Sequence, residues 1–452
     1  MTAAPSAAEP APDLDDADDG RPWPSPARAW WVIAVFFVAA ILYYTDRFIL
    51  NLLVDPIRAD LHITDTQVSL LQGVAFGLVY AFAGLPLGRF ADVMPRRRVM
   101  IAGVVIWSVA TAACGFAQSF GQLFAARVMV GIGEAALAPA AVSMIGDYFA
   151  PNRRGAAIGV FLTGMSIGNS MAIIISGSLL EAANGGLFAH LPVVSTLAPW
   201  RAVLVLLAIP AAVVVALLLT IREPERRGRK ASSGTAMPLK AVVADFVSRR
   251  HILLPLYAAV ALATIGDCAL LNWTPALLQR RFHYTPGEVA AILGGVSLSM
   301  GIVGTLLGGV VSDYMHRRGG SQARLAAAFV ASLLMVAGAV VALAANGLQV
   351  VAIYGVWILM ASVCETIGIT TIQEVVPNQV RGVGASLVSF GNILVGMSLG
   401  TSLTAVLTDS VYRDPLAVGW SITTVAAPAG LLAALMFWLA LKSLGRPRAE
   451  TA

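Results

Sequence analysis

Long apolar stretches, separated by short polar breaks, recur along almost the whole chain. A helix that crosses a bilayer needs about 20 mostly apolar residues. The pattern predicts twelve such helices, at residues 30–52, 67–94, 98–117, 121–149, 155–180, 199–221, 251–278, 286–315, 323–345, 349–376, 382–406 and 418–443. Only two connections are long, 181–198 and 222–250, and the second divides the chain in half.

This pattern predicts an all-α membrane protein with two six-helix bundles, at residues 29–221 and 251–443, joined by a cytoplasmic linker at 222–250. The first 28 residues are rich in Pro, Ala and Asp and are expected to form a disordered cytoplasmic tail. Residues 444–452 are expected to form a second cytoplasmic tail. No signal peptide is predicted, because the first apolar run is too long for one.

The placement of basic residues predicts the orientation, since loops rich in Lys and Arg face the cytoplasm. With both termini in the cytoplasm, 22 of the 30 Lys and Arg residues lie on that side and five lie outside. Three lie at membrane depth: Arg47, Arg89 and Arg127. We therefore expect a multi-pass protein of a bacterial-type inner membrane, and a monomer.

Composition narrows the function classes further. Charged residues make up 12% of the chain and apolar residues 58%, whereas soluble domains are about 25% charged. This excludes an ordinary soluble enzyme and a nucleic-acid-binding domain, and topology explains the net charge of +5. The sequence predicts no enzyme active site, cofactor, metal site or ATP-binding domain, so an ion or substrate gradient is expected to drive any transport.

Two short motifs occur once in each half. Gly88-x-x-x-Asp92-x-x-x-Arg96-Arg97-Arg98 is matched 221 residues later by Gly309-x-x-x-Asp313-x-x-x-Arg317-Arg318. Pro151-Asn152-Arg153-Arg154-Gly155 is matched by Pro377-Asn378 and Arg381-Gly382, at a distance of 226 to 227 residues. Parallel repeats of six spans are typical of the major facilitator superfamily, in which the substrate lies near the midplane between the halves.

The first motif resembles the signature loop of that superfamily. Tyr44-Thr45-Asp46-Arg47-Phe48, the stretch from Arg127 to Ala135, and Ile145-Gly146-Asp147-Tyr148-Phe149 resemble its Spinster family. The resemblance implies the major facilitator fold and proton-linked transport of lysolipids such as lysophospholipids or sphingosine-1-phosphate.

Six charged residues lie deep in the predicted spans, where an unpaired charge is costly. They occur in the first, fourth, seventh and tenth spans, which the resemblance implies line the cavity: Asp46, Arg47, Arg127, Glu134, Asp267 and Glu365. Arg127 and Glu134 are two helical turns apart, about 10.5 Å along the axis, and are expected to find partners on other spans. We expect Asp46 or Glu134 to share Arg127.

These residues suggest specific roles. Desolvation favours a protonated carboxyl group and a nearby Arg favours the ionised form, so capture of the Arg by a substrate anion would let the carboxylate take a proton. Asp46 is the first candidate for proton coupling and Glu134 the second. The predicted substrate-binding residues are Arg127, Glu134, Arg47 and Glu365. The simpler alternative is a permanent ion pair that only fixes the helix register.

Charges at the cytoplasmic ends of the helices are candidates for a gate, although positive-inside topology also accounts for them. The resemblance favours Asp92 as a residue that holds the cytoplasmic side shut against a helix N-terminus. The predicted gating residues are Asp92, Arg96, Arg97, Asp147, Arg154, Asp313 and Arg317. Asp147 is expected near Arg153 or Arg154, and Glu374 near Arg381.

Gly131-Ile132-Gly133 and the residues after it fit a dinucleotide-binding pattern. They lie in the middle of an apolar helix with no preceding strand, which argues against that function. We expect these glycines to allow another helix to approach closely.

The sequence thus predicts a proton-coupled secondary transporter that works by alternating access, with an amphipathic, lysolipid-like anion as its substrate. Three alternatives remain open: a transporter of small organic anions, a drug/proton antiporter for lipophilic cations, and a sensor that does not transport.

Overall fold

The computed structural model describes residues 22–192, 194–226, 239–376 and 381–444. All regular elements in these ranges are helices. We number the membrane-spanning helices as spans. Spans 1 to 6 are Pro26–Phe48, Asp65–Val93, Arg96–Phe116, Phe120–Tyr148, Pro151–Asn184 and Pro199–Thr220. Span 7 is Arg250–Phe282, spans 8 and 9 share Pro286–Ala337, span 10 is Gly347–Val375, span 11 is Arg381–Val406, and span 12 is Val418–Leu444.

The prediction of twelve spans is confirmed. Among the described residues, eleven apolar stretches are long enough to cross a membrane, and the longest of them, Pro286–Leu343, contains two spans. Its helix breaks at Gly319 (φ −156°, ψ 25°) and Gly320 (φ 63°, ψ −156°). Glycine adopts the positive φ of position 320 easily because it has no Cβ atom. The chain therefore turns back there, between the predicted eighth and ninth spans.

Boundaries in three predicted loops differ from the expectation. Span 1 begins at Pro26, inside the predicted tail, because Pro is well suited to the first turn of a helix. Within the predicted linker, Leu239–Ser248 forms a short helix and span 7 begins at Arg250. Span 5 extends to Asn184, inside the predicted loop 181–198.

The repeat extends to helix caps that the motifs did not reveal. His62 and His283 are left-handed residues 221 positions apart. Thr64 and Thr285 follow them and form capping boxes with Gln67 and Glu288, which start spans 2 and 8. Span 4 starts with a Ser119–Gln122 cap, and span 10 starts with Asn346–Gln349. Equivalent helices therefore begin with equivalent local chemistry in the two halves.

The two halves, spans 1–6 and spans 7–12, touch at one end of the bundle. We call the end at which span 1 starts and span 12 ends the near end, and the opposite end the far end. Toward the far end, Gly177 of span 5 packs on Ala290, and Gly73 of span 2 packs on Ser398. At Gly84 and Gly391, closer to the near end, a Cβ atom would meet no heavy atom of the described chain within 4 Å. The cleft between the halves is therefore closed at the far end and open toward the near end.

Spans 2 and 11 both contain a wide helical turn where they meet. These turns, Leu70–Val74 and Asn392–Met397, are π-helical. Such turns are rare and frequently lie at functional sites. The two π-helical turns face each other where span 2 meets span 11, at the contact that closes the far half of the cleft.

Candidate functional site

Four of the six deep charged residues lie together between spans 1 and 4. Asp46 and Arg47 end the helix of span 1, and Arg127 and Glu134 lie on Phe120–Glu134 of span 4. Their exposed fractions are 2%, 5%, 0% and 0%, respectively. An isolated ion is strongly disfavoured away from water. Each of these buried charges therefore needs a partner that compensates it.

Arg47 pairs with Glu134. Its Nε donates to Glu134 Oε2 at 3.3 Å, and its Nη2 donates to the hydroxyl of Tyr43. Four aromatic rings surround the guanidinium, with centroids 4.4 to 5.0 Å from its central carbon: Tyr43, Tyr44, Phe76 and Tyr80. Cation–π attraction of this kind is strongest where water is excluded. The rings and the carboxylate together hold this cation in place.

Asp46 faces a different neighbour. Its Oδ2 accepts a hydrogen bond of 2.6 Å from the hydroxyl of Thr111 on span 3, and its Oδ1 has no partner in the described chain. Arg127 interacts with Asp46 only electrostatically. Its Nη2 donates to the backbone carbonyl of Arg47 at 3.2 Å, while Nε and Nη1 have no hydrogen-bond partner among the described residues. The guanidinium of Arg127 thus keeps two free donors.

Of the two carboxylates that were expected to share Arg127, Asp46 interacts with it electrostatically, while Glu134 forms its ion pair with Arg47 on span 1. The reason lies in side-chain direction. Side chains on a helix tilt toward its N-terminus, so Arg47 reaches back one turn to Tyr43 and to the level of Glu134. The carbonyl of Arg47 points the other way along span 1, and Arg127 binds it there.

The remaining two acids lie in the second half. Glu365 is exposed although it lies in the middle of span 10, and Asp267 of span 7 is partly buried. The two carboxylates interact electrostatically, and Glu365 also interacts with Tyr44 of span 1. Glu365 therefore faces the cleft between the halves. In the described chain neither acid has a cationic partner, so two carboxyl groups without a counter-charge lie on this wall.

At the near end, Arg96 is the centre of a buried charge cluster. It is 1% exposed and binds Asp147, Glu223 at 2.9 Å and the carbonyl of Ser143 at 3.2 Å. The backbone N–H of Arg97 donates to Glu223 at 2.9 Å. The second half repeats this arrangement, because Arg324 at the start of span 9 binds Glu374 at 2.5 Å. Each cluster joins helices of one half.

Other predicted gating residues have different surroundings. Arg154 donates to the carbonyl of Gly146 at 2.7 Å, and Asp147 binds Arg96 on span 3. Asp313 and Arg317 are exposed and form no ion pair with the described residues. The side chains of Asp92 and Arg381 lie outside the described part of the chain.

A charge cluster that the sequence motifs did not predict closes the far end. Both terminal nitrogens of Arg280 donate to the carboxylate of Asp65 at 2.8 Å, and its Nε donates to Asp55 at 2.8 Å. Asp65 is fully buried. This bidentate arrangement joins span 7 to the first half. One feature of the sequence could have indicated this cluster. Arg280 lies at a helix end that the predicted topology places outside, where basic residues are scarce.

Comparisons with known proteins agree with this architecture. Residues 36–401 match the family model described as Major Facilitator Superfamily. An MFS-type efflux pump of Mycolicibacterium smegmatis is 26% identical over 96% of this chain and 97% of its own length. Protein spinster of Drosophila melanogaster is 27% identical over 64% of this chain and 46% of its own length.

A solved structure shares the fold over most of the chain. It is a bacterial homolog of the human lysosomal transporter Spinster in an inward-facing, unoccupied conformation. The match has a TM-score of 0.77 and 22% identity, and covers 93% of this chain and 98% of that one. Members of this superfamily are multi-pass membrane transporters of small molecules rather than enzymes. The chain belongs to the major facilitator superfamily and, within it, resembles the Spinster proteins.

Proposed function

We propose that this transporter is proton-coupled, works by alternating access and moves an amphipathic anion of the lysolipid class. The observation that carries the proposal is the Arg47–Glu134 pair, enclosed by four aromatic rings beside a cleft that opens at one end. A carboxylate or phosphate on the substrate is the natural competitor for such a guanidinium. The rings provide apolar surface for the rest of the molecule.

Substrate binding begins at the two arginines. Arg127 offers two nitrogens, Nε and Nη1, that have no hydrogen-bond partner in the described chain, and Arg47 offers a guanidinium that only one carboxylate oxygen engages. A bound anion takes donors from both. Arg47 then turns away from Glu134, which loses its cationic partner in a buried site.

Proton uptake follows from that loss. Glu134 is fully buried and its Oε1 already has no hydrogen-bond partner in the described chain. A carboxylate in this position becomes far easier to protonate once the cation has moved. When the anion leaves, Arg47 returns and the proton is released. Glu134 therefore takes up and releases one proton each time its ion pair with Arg47 breaks and forms again.

Asp46 is the second proton site in this proposal. Thr111 supports its ionised form through one hydrogen bond, and the charge of Arg127 lies close by. If the anion neutralises Arg127, Asp46 also loses electrostatic support. The two carboxylates thus respond to the same substrate through different arginines.

The distribution of basic residues predicts which side of the membrane each end of the protein faces. The positive-inside rule places the near end, with both termini, in the cytoplasm. The cleft then opens to the cytoplasm, and the Arg280 cluster closes the outer side. Alternating access requires these contacts to break while the near end closes around the bound anion.

A second candidate function, efflux of lipophilic cations, is favoured by the opposite wall of the cleft. Asp267 and Glu365 carry two carboxylates with no cationic partner in the described chain, which suits an organic cation. The efflux pump of Mycolicibacterium smegmatis supports the same alternative. In this case the carboxylates bind the substrate and Arg47 is structural.

Thermal unfolding of the purified protein with a panel of ligands tests the proposal. The panel contains lysophospholipids, sphingosine phosphate, a hexuronate and lipophilic cations, each applied to the native chain, Arg47→Ala, Arg127→Ala and the exposed control Arg250→Ala. A ligand at 100 times its Kd stabilises the protein by about 2.7 kcal/mol. Ligands that bind are then loaded in proteoliposomes with and without a pH gradient.

We expect the lysolipid anions to stabilise the native chain and Arg250→Ala but neither binding-site variant. We also expect the pH gradient to drive their accumulation. Stabilisation by cations alone, retained in Arg47→Ala, contradicts the anion proposal in favour of efflux. Stabilisation by hexuronate alone supports the small-anion alternative, and binding without any flux supports a sensor.

A further inference from the structure

At the far end, each half of the protein places one carboxylate on the first turn of a helix in the other half. Asp409, directly after span 11, accepts from the backbone N–H of Thr66 at 2.6 Å and from its hydroxyl at 2.7 Å. Glu181, near the end of span 5, accepts from the backbone N–H of Gly287 at 3.2 Å. Thr66 and Gly287 are each the second residue of their helices, spans 2 and 8.

The two contacts are equivalent in the internal repeat. Thr66 and Gly287 are 221 positions apart, the same distance that relates the two capping boxes and the two signature motifs. Spans 5 and 11, which supply the carboxylates, are likewise equivalent helices of the two halves. The pair therefore has the pseudo-twofold symmetry of the whole bundle.

The capping boxes explain why these N–H groups are available. The first N–H groups of a helix have no partner within it. In span 2 the cap Thr64 and Gln67 satisfy each other's N–H groups, and Thr285 and Glu288 do the same in span 8. The second residue of each helix is left with a free N–H. A carboxylate there also gains from the positive end of the helix dipole.

We propose that Asp409 and Glu181 are two symmetric latches that hold the far end of the transporter closed, in addition to the Arg280 cluster. The inference rests on the proposed alternating-access cycle. Opening of the far end separates span 2 from span 11 and span 8 from span 5, so both latches must break. Each half thus locks the other, and neither side of the gate opens alone.

The latches differ in strength. Asp409 is partly buried and makes two short hydrogen bonds, one of them to a hydroxyl that Gly287 lacks. Glu181 is exposed and makes one longer bond. Water screens an exposed charge more effectively. Loss of the Asp409 charge therefore opens the gate more than loss of the Glu181 charge.

Thiol labelling of the full-length protein measures this opening. Ser69 is fully buried one turn below Thr66, where span 2 faces span 11. Ser69→Cys is introduced after the native cysteines, Cys114, Cys268 and Cys364, are changed to Ala. A charged thiol reagent reaches this position only when the far end opens, so its labelling rate reports the open fraction even when that fraction is small.

The matched control is Asp60→Asn. Asp60 is also a far-end carboxylate, but it binds Trp200 and Arg201 within its own half. We expect Asp409→Asn and Glu181→Gln each to raise the labelling rate about 2- to 5-fold, with the larger effect for Asp409→Asn. The double variant should raise the rate by about the product of the two factors, and Asp60→Asn should leave it unchanged.

Three results overturn the proposal. Unchanged rates in both latch variants, in a protein that labels measurably, remove the latches and leave alternating access intact. An equal increase in Asp60→Asn shows a general effect of far-end charge. If the thiol stays unlabelled in every variant, including the double one and with saturating transported ligand present, the latches and alternating access both fail. Monodisperse gel filtration of each variant confirms that it is folded.

Discussion

Arg47 and Glu134 form an ion pair between spans 1 and 4, with Nε and Oε2 3.3 Å apart, although the nearest arginine to Glu134 on its own helix face is Arg127. The backbone carbonyl of the same Arg47 accepts a hydrogen bond of 3.2 Å from Arg127. Two cations and two carboxylates are thus arranged in two layers along the same pair of helices. Movement of Arg47 changes both layers, because its side chain belongs to one and its backbone to the other.

The first prediction concerns Glu134→Gln. The amide keeps the size of the side chain and an oxygen that accepts from Arg47, but it cannot exchange a proton. We expect accumulation driven by a pH gradient to be lost, while exchange of labelled for unlabelled substrate across the membrane continues. Proteoliposome flux with and without the gradient measures both. Gradient-driven accumulation at the native level in Glu134→Gln would remove this residue from proton coupling.

The second prediction concerns Thr111, the hydrogen-bond donor to Asp46. In Thr111→Val the buried carboxylate loses this bond, and its other oxygen already has no partner in the described chain. Loss of a partner to a buried polar group costs about 1–3 kcal/mol, so we expect a lower unfolding temperature. Thr111→Ser keeps the hydroxyl and serves as the control. Equal stability of the Val and Ser variants would mean that the bond contributes nothing.

The apolar pattern was enough to predict the twelve spans, because membrane-crossing helices must satisfy their backbone groups internally and be apolar over a known length. The pairing of charges was a different problem. Residue spacing placed Arg127 and Glu134 on one face of span 4, but it contained no information about the height of span 1 beside it. That height decides which span 1 residue lies beside Glu134 and which lies beside Arg127.

The far-end cluster shows the same limit. Asp65, Arg280 and Asp409 are far apart in sequence and lie near helix ends, where single charges have an ordinary explanation as solvated residues. Only the packing of span 7 beside the start of span 2 brings Arg280 to Asp65. The short motifs predicted that the two halves repeat. The symmetry of the far end could therefore be expected from the sequence, although its contacts could not.

The third prediction concerns the buried arginine at the near end. Arg96→Gln removes the cation from Asp147 and Glu223, and breaking a buried ion pair costs about 3–5 kcal/mol. We expect a lower unfolding temperature and less protein in the membrane fraction. Arg250→Gln, at an exposed site of the same end, should have almost no effect. Equal stability of these two variants would contradict the structural importance of the Arg96 cluster.

The fourth prediction concerns the glycines that mimic a dinucleotide-binding motif. Gly133 lies against span 3, where a Cβ atom would be 2.6 Å from the backbone nitrogen of Trp107 and 2.8 Å from the carbonyl oxygen of Gly103. Backbone atoms cannot move aside as a flexible side chain can, so Gly133→Ala forces the two helices apart. Overpacking of this kind typically costs about 1–3 kcal/mol.

Gly159→Ala is the matched control, because a Cβ atom on Gly159 would meet no heavy atom of the described chain within 4 Å. Ala is the better helix former by about 1 kcal/mol, so we expect this variant to be as stable as the native protein or slightly more stable. Thermal unfolding of both variants in detergent decides the point. If Gly133→Ala unfolds at the same temperature as Gly159→Ala, then close packing of spans 3 and 4 does not explain this glycine. Its role would have to be sought in the motion of span 4, next to the Arg47–Glu134 pair.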